Sequence, residues 1–545
     1  MAADLDAVIP VTDPAIEIEL QALKLQEPMN AVIDLGSSPV QKYYEDATVF
    51  ITGGPGFLGK ALVEKLLRAC KIKKIFVLIR LKKGKGSQEK LETVWQDSLF
   101  DLVREKKPRF LDKIVPVTGF VSEPRLGLSE RDWVTITNEV DIIFHTAATV
   151  RFDEPLKVAA KINVGGTMNA VEVAKCCTKL KQFIHVSTAF SQATKERIGK
   201  VVTEQFYPCV MSPKIFMDMV DTMKEDRLNN ITPELIKGWP NTYTFTEAIA
   251  EHVIKDCAAD LPVCIVKPPI VLHALYEPHP GWLEKSCLGG PSGIAFGVGM
   301  GVLHVFYVDT ENRVASAPLE YVNNATIAAA WDSTERHKEG SREIPIYNIA
   351  SEEDLVKWGD YSKFLATECK PGLTTPQALW YCYLIETQNI FYYWLLNWLL
   401  HYIPAYIMDV VFAIFGMRPQ GISSFVKVFQ GINKKVGAYT YFLTNSWKFK
   451  NYNVKAMISR MTDNDRAIFN CDLRTVNTGL HAQVWCIGLR KYIVKDGLKD
   501  SVQATSKQNW LKRANLVFLA VYAYGIWFVL SLILSMVCYF FSFFV

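Results

Sequence analysis

Short apolar, β-branched runs alternate with stretches of helical periodicity over roughly residues 47–350. TVFITGG (48–54), KIFVLIR (74–80), KIVPVTG (113–119), DIIFHTAA (141–148), QFIHVSTAF (182–190) and VCIVKPPIV (263–271) read as buried strands. LGKALVEKLLRAC (58–70) and MNAVEVAKCC (168–177) carry apolar residues at helical spacing. Strand and helix in alternation predict an α/β domain over 43–350, a doubly wound parallel sheet with helices on both faces.

The pattern changes after Ser351, where residues 351–505 read as a mainly helical domain. Its segment 376–417 is apolar and aromatic, with Glu386 and Asp409 as acidic interruptions and Pro404 placed to end or kink a helix. Two readings stand: a membrane-inserting hairpin, or the apolar core of the helical domain, which Asn389, Asn397 and His401 also fit. From Ala514 to the end no charged residue appears, a run longer than the ~20 apolar residues that span a bilayer. A transmembrane helix is expected at 514–540. Lys507, Lys512 and Arg513 precede it, so the positive-inside rule puts the large domain in the cytosol. Residues 1–42 carry mostly acidic charge, lack the basic and apolar regions of a signal or transit peptide, and read as a disordered leader.

At 545 residues the chain is too long for one compact domain, and 50% hydrophobic with 21% charged residues excludes a mostly disordered protein. A net charge of +4 argues against a nucleic-acid partner. The twelve cysteines include one adjacent pair, Cys176 and Cys177, and no C-x-x-C, which suits reduced thiols better than disulfides or a metal site.

The first strand runs straight into Thr52-Gly53-Gly54-Pro55-Gly56-Phe57-Leu58-Gly59 and then a helix. Glycines at 53, 56 and 59 permit a tight turn, close approach of backbone to a pyrophosphate, and close helix–strand packing. Arg80 ends the second strand where a carboxylate would hold the ribose 2′-hydroxyl of NAD, and Lys82, Lys83 and Lys85 follow. These cations point to a 2′-phosphate and NADPH; a solvated basic loop is the alternative. The fourth strand ends in His145-Thr146-Ala147-Ala148, where small residues such as Ala147 let a cofactor lie close. For His145 and Asp153, packing is a commoner role than acid–base work. Asn163 reads as opening the next helix. Ser187 and Thr188 at the fifth strand's end, with Tyr243 on a helix, are candidates to converge on a carbonyl oxygen, stabilise the oxyanion and deliver its proton.

The glycine turn, HTAATVRFDEPL (145–156), INVGGT (162–167), IHVSTAF (184–190), PNTYTFTEA (240–248), PGW (280–282), LHYIPAYIMDVVF (400–412), TNSWKFKN (444–451) and WCIGLRKYIVKD (485–496) resemble the alcohol-forming fatty acyl-CoA reductases of eukaryotes, with an insect flavour. That family lies within the extended short-chain dehydrogenases/reductases. The resemblance implies a Rossmann-like fold, NADPH, and reduction of long-chain acyl-CoA through a bound aldehyde to primary alcohol and CoA. It also implies a cytosol-facing catalytic domain on peroxisome, endoplasmic reticulum or lipid droplet, in contact with membrane lipid. A homodimer is left open.

The chain departs from the family at several points. The family's Y-x-x-x-K becomes Tyr243 followed by Glu247, and Lys255, three helical turns from Tyr243, is too distant to replace the lysine. Phe120, Pro55 and Lys267-Pro268-Pro269 depart as well. A catalytically impaired, membrane-anchored protein that binds nucleotide or lipid is therefore the second reading. A sterol or other lipid dehydrogenase is a third, and leaves the matching C-terminal half unexplained.

Overall fold

A computed structural model describes residues 13–80, 93–350, 353, 356–367, 374–416 and 424–541. Helices α1 (Pro14–Lys24), α2 (Glu27–Val32) and α3 (Pro39–Tyr43) come first. Strand β1 (Thr48–Thr52) follows, then α4 (Phe57–Ala69), β2 (Lys74–Ile79), β3 (Ile114–Thr118) and β4 (Ile142–His145). A helical run of Leu156–Ala159, a wide turn at Ala160–Gly165 and α5 (Gly166–Cys176) lead to β5 (Gln182–Val186). Helix α6 (Thr242–Cys257), β6 (Val263–Lys267), α7 (Leu319–Lys338) and β7 (Ile346–Asn348) complete the domain.

Among the described residues these strands form one parallel seven-stranded sheet in the order β7-β6-β5-β4-β1-β2-β3. The order reverses between β1 and β4, which opens a crevice at their carboxyl ends. Side chains alternate across the sheet: Val49 and Ile51 pack with Leu62 and Leu66 of α4 and Val322 of α7. Phe50, between them, packs on the other face with Ala170 of α5 and Ile249 of α6. With both faces covered, β1 is buried throughout, which explains its unbroken apolar run.

The expectation of a disordered leader is corrected for residues 13–42. The apolar anchors Ala15, Ala22, Met29, Ile33 and Val40 are each no more than 4% exposed. They are spaced widely enough for a charged surface to mask them. Ser38 closes a capping box with Gln41, and Gln41 Nε2 donates to the carbonyls of Ile33 and Ala69. Gln26 donates to Tyr276 and Pro278, and Tyr44 to Ile327. The segment is stitched to the sheet domain by buried polar bonds that composition does not register.

In the C-terminal part, α8 (Ile390–Asn397) continues through a wide turn at Trp398–Tyr402 into α9 (Ile403–Phe415). Pro404, expected to end or kink a helix, sits in the first turn of α9. The Ile403 N–H reaches back five residues to Trp398, and the next carbonyl, Leu399, accepts from the Tyr522 hydroxyl at 2.8 Å. Widening the turn absorbs the missing proline N–H. Along this helix Phe391 and Ile414 are 83% and 72% exposed, so its outer face is not a domain core.

Helix α10 (Phe425–Thr444) returns to the sheet domain, and α11 (Thr478–Gly488) packs on it through a glycine contact. A Cβ on Gly488 would stand 2.2 Å from the Gly281 carbonyl oxygen, so the two backbones touch where PGW meets the helical region. The last helix, α12 (Ser501–Phe541), is apolar and almost wholly exposed over its second half.

Candidate active site

The glycine turn fits a dinucleotide. Gly53 has φ +76°, and a Cβ there would lie 2.7 Å from Thr146 Oγ1 and 2.8 Å from Ala147 N. A Cβ on Gly59 would lie 2.3 Å from the Gly53 carbonyl oxygen, so only glycine lets α4 start directly above the turn. Gly56 caps that helix without a side chain, so its first-turn N–H groups face the crevice free of a competing cap. Phe57 stacks on Trp282 with centroids 5.3 Å apart, Leu58 is half-buried beside it, and the Trp282 indole donates to Asp97.

Strand-end packing holds the crevice floor. Thr52 Oγ1 meets His145 Nδ1 at 2.8 Å, and the Thr52 carbonyl accepts from the Thr146 hydroxyl at 2.7 Å. His145 Nε2 meets Thr167, and burial pushes its pKa down to about 4. A neutral, doubly bonded ring is a packing residue. Asp153 lies at the surface, paired with Lys434 and Arg151. Asn163 does not open a helix but sits inside the wide turn before α5, a correction to the sequence expectation. Its amide bonds both backbone groups of Thr149 and donates to Thr246 of α6, tying the loop after β4 to that helix.

Arg80 places its guanidinium 4.2 Å from the Phe120 ring centroid, so the residue that departs from the family pattern forms a stacking platform at the β2–β3 edge. Lys82, Lys83 and Lys85 lie outside the described residues.

At the other side of the crevice, β5 delivers Ser187 and Thr188 beside α6. Asn241 caps α6 by accepting from the Thr244 N–H at 2.9 Å, which fixes the helix start. Tyr243, Glu247 and Glu251 follow at four-residue intervals along one face. Burial and the Glu247 charge hold the Tyr243 pKa well above its usual value, while Thr188 acts in the opposite direction. Glu251 accepts from the Ser187 hydroxyl at 2.6 Å and pairs with Lys267 at 2.9 Å. Burial, reinforced by the Glu251 charge, pushes the Glu247 pKa up to about 8 against the pull of Ser187 and Lys267. Phe152 stacks on Tyr243 at 6.0 Å and meets Tyr439 and Phe442 of α10, so an aromatic wall leads from the phenol to the C-terminal helices.

Sequence reasoning singled out Ser187, Thr188 and Tyr243 and missed Glu251 and Lys267, the ion pair that takes up the Ser187 hydroxyl. Lys267 approaches from the neighbouring strand rather than along α6. The available signal was a lysine at the end of a fully buried strand, which must find a carboxylate.

Two family profiles match, both described as male sterility protein: an NAD-binding domain over residues 51–326 and a second region over 400–496. The chain is similar to the fatty acyl-CoA reductase wat of Drosophila melanogaster, 35% identical over 96% of this chain and 99% of that one. It is similar to human fatty acyl-CoA reductase 1, 32% identical over 90% of this chain and 92% of that one. Among solved structures, the reductase domain of a nonribosomal peptide synthetase from Mycobacterium tuberculosis shares the fold. That match has a TM-score of 0.54 and 20% identity over 89% of this chain and 99% of that one.

Proposed function

The chain belongs to the fatty acyl-CoA reductase family, within the extended short-chain dehydrogenases/reductases, and from that premise we propose that it reduces long-chain acyl-CoA through a bound aldehyde to the primary alcohol, releasing CoA, with NADPH as reductant. The observation that carries the reading is the hydroxyl pair Ser187-Thr188 delivered at the carboxyl end of β5 against the helix that bears Tyr243, tied to it by the Ser187–Glu251 hydrogen bond and two strands from the glycine turn.

The fit of glycines 53, 56 and 59 supports a pyrophosphate above α4, and Arg80 on Phe120 supports a 2′-phosphate at the adenosine end. When bound, the reduced nicotinamide supplies the hydride. Tyr243 and Thr188 then hold the oxygen that gains charge, first on the thioester carbon, where collapse expels the CoA thiolate, and again on the aldehyde. In the second reduction Tyr243 gives its proton to the alkoxide. One donor to such an oxyanion is typically worth ~3–4 kcal/mol, about 10²–10³ in rate. Ser187 reaches the reacting oxygen only indirectly, since its hydroxyl is committed to Glu251.

Membrane anchoring completes the proposal. Residues 514–540 of α12 extend about 40 Å at ~1.5 Å per residue, enough to cross a ~30 Å hydrocarbon core. Lys507, Lys512 and Arg513 favour a cytosolic catalytic domain, on peroxisome, endoplasmic reticulum or lipid droplet. An acyl chain partitions into lipid by ~0.8 kcal/mol per methylene, so an anchored reductase meets its substrate where it resides.

Expression in yeast with lipid analysis tests the reading: fatty alcohol accumulates with the native chain and not with Tyr243→Phe. No alcohol from the native chain across C14–C26 substrates, with alcohol restored by Glu247→Lys, would establish the impaired, ligand-binding reading instead.

A further inference from the structure

Glu247 has no task in the chemistry above, yet it lies 2% exposed one helical turn from Tyr243. Charge counting says what form it takes. Among the described residues the buried cluster holds one cation, Lys267, and two carboxyl groups, Glu247 and Glu251. Lys267 Nζ is 2.9 Å from one Glu251 oxygen and 3.1 Å from the other, and the Ser187 hydroxyl donates to Glu251 as well. Glu251 therefore takes the cation and the donor. A second negative charge in the same buried space is opposed by the first, so one proton stays on the pair's other member. The groups that act on Glu247 are Tyr243 and Glu251 on its own helix, Ser187 after β5 and Lys267 on β6. The buried His185 ring of β5 is held neutral by burial, with His145 and Lys267 acting in the same direction.

We propose that Glu247 is a proton reservoir for Tyr243. The proposal rests on the reading of Tyr243 as proton donor. The Tyr243 hydroxyl gives its proton to the alkoxide oxygen formed when hydride from a reduced nicotinamide dinucleotide reaches the carbonyl carbon. Tyr243 and Glu247 share no direct hydrogen bond, so the phenolate then takes the proton of the Glu247 carboxylic acid through one bridging water. The carboxylate left beside Lys267 recovers a proton from water as product leaves. Related sites lower the tyrosine pKa with a lysine one turn on; here the same position refills the phenol instead. Burial and Glu251 keep the acid loaded up to about pH 8. Above that the carboxylate cannot refill the phenol, and its charge opposes the phenolate.

The test uses the full chain in detergent with a long-chain aldehyde and NADPH. In the native protein kcat falls as pH rises through about 8. Glu247→Gln, which keeps size but carries no acid proton, lowers kcat at pH 7 by about a hundred-fold or more. It also abolishes the limb near pH 8 and leaves the aldehyde KM within about two-fold. Glu247→Asp retains the limb. Independently of activity, the infrared band of a protonated carboxyl group disappears between pH 7 and 9 in the native chain, and that component is missing from Glu247→Gln. An unchanged pH profile in Glu247→Gln, or identical carboxyl bands in the two proteins, overturns the reservoir. If Glu247→Gln does not fold, Glu247→Asp decides: a lost limb and lost band in that variant overturn it too. Full aldehyde reduction by Tyr243→Phe would instead overturn the donor assignment beneath it.

Discussion

Gly59→Ala puts one methyl group where the structure has no room. The new Cβ would lie 2.3 Å from the Gly53 carbonyl oxygen and 2.7 Å from Gly54 Cα, against an ordinary contact distance of 3.4 Å. Both clashes are with backbone, so no rotamer change relieves them. Either α4 or the turn must retreat by about 1.1 Å to restore that distance. A binding site holds its geometry to ~0.5 Å, so the helix N-terminus and the turn would no longer address one pyrophosphate together. Overpacking of this size costs ~1–3 kcal/mol. If that strain is relieved by opening the site, it raises the NADPH Kd about five- to 150-fold. Fluorescence titration of the detergent-solubilised full chain measures the ratio, with thermal unfolding as the control for folding. A folded Gly59→Ala protein that binds NADPH like the native chain would refute the assignment of this turn to the pyrophosphate.

Gly488→Ala forces α11 off the Gly281 backbone and should lower stability by about 1–3 kcal/mol in denaturant titration; no change would mean the two backbones do not need to touch. Lys267→Met leaves the Glu251 carboxylate buried without its cation, a loss of about 3–5 kcal/mol that Glu251→Gln should relieve in the double variant. Simple additivity of the two would show that the pair is not coupled. Phe391→Glu with Leu395→Glu places charge on the exposed face of the helix over 390–415, and should reduce flotation with phospholipid vesicles several-fold in a chain ending at Arg513. Unchanged flotation would remove that helix from the lipid surface.

Much of the fold was legible because burial on both faces writes itself as apolar runs. The first six strands of the sheet stand within the segments read from sequence. The seventh, Ile346–Asn348, was missed: three residues are too few for a periodic signal, and its place comes from pairing with β6. The leader was misread because its anchors are sparse and its attachments are polar, as with Gln26 and Gln41. Asn163 was placed at a helix start because Asn-Val-Gly-Gly looks like a boundary, whereas a wide turn carries the helix through.

In the site, strand-end positions and the tyrosine could be read from local order. The partner of Glu251 could not. Lys267 is sixteen residues away and reaches Glu251 only because β6 lies beside β5, a tertiary fact that no local spacing encodes. Sequence alone therefore showed the absence of the family lysine at 247 and not the cation that arrives from the neighbouring strand.

The most direct measurement of the central claim is stoichiometry. Full-length protein, saturating long-chain acyl-CoA and NADPH are combined, and NADPH oxidised, CoA thiol released and alcohol formed are counted together. The account predicts two NADPH oxidised for each thiol and each alcohol, and none of the three from Tyr243→Phe. One NADPH per thiol with free aldehyde as the end product, or thiol release without NADPH oxidation, would contradict it.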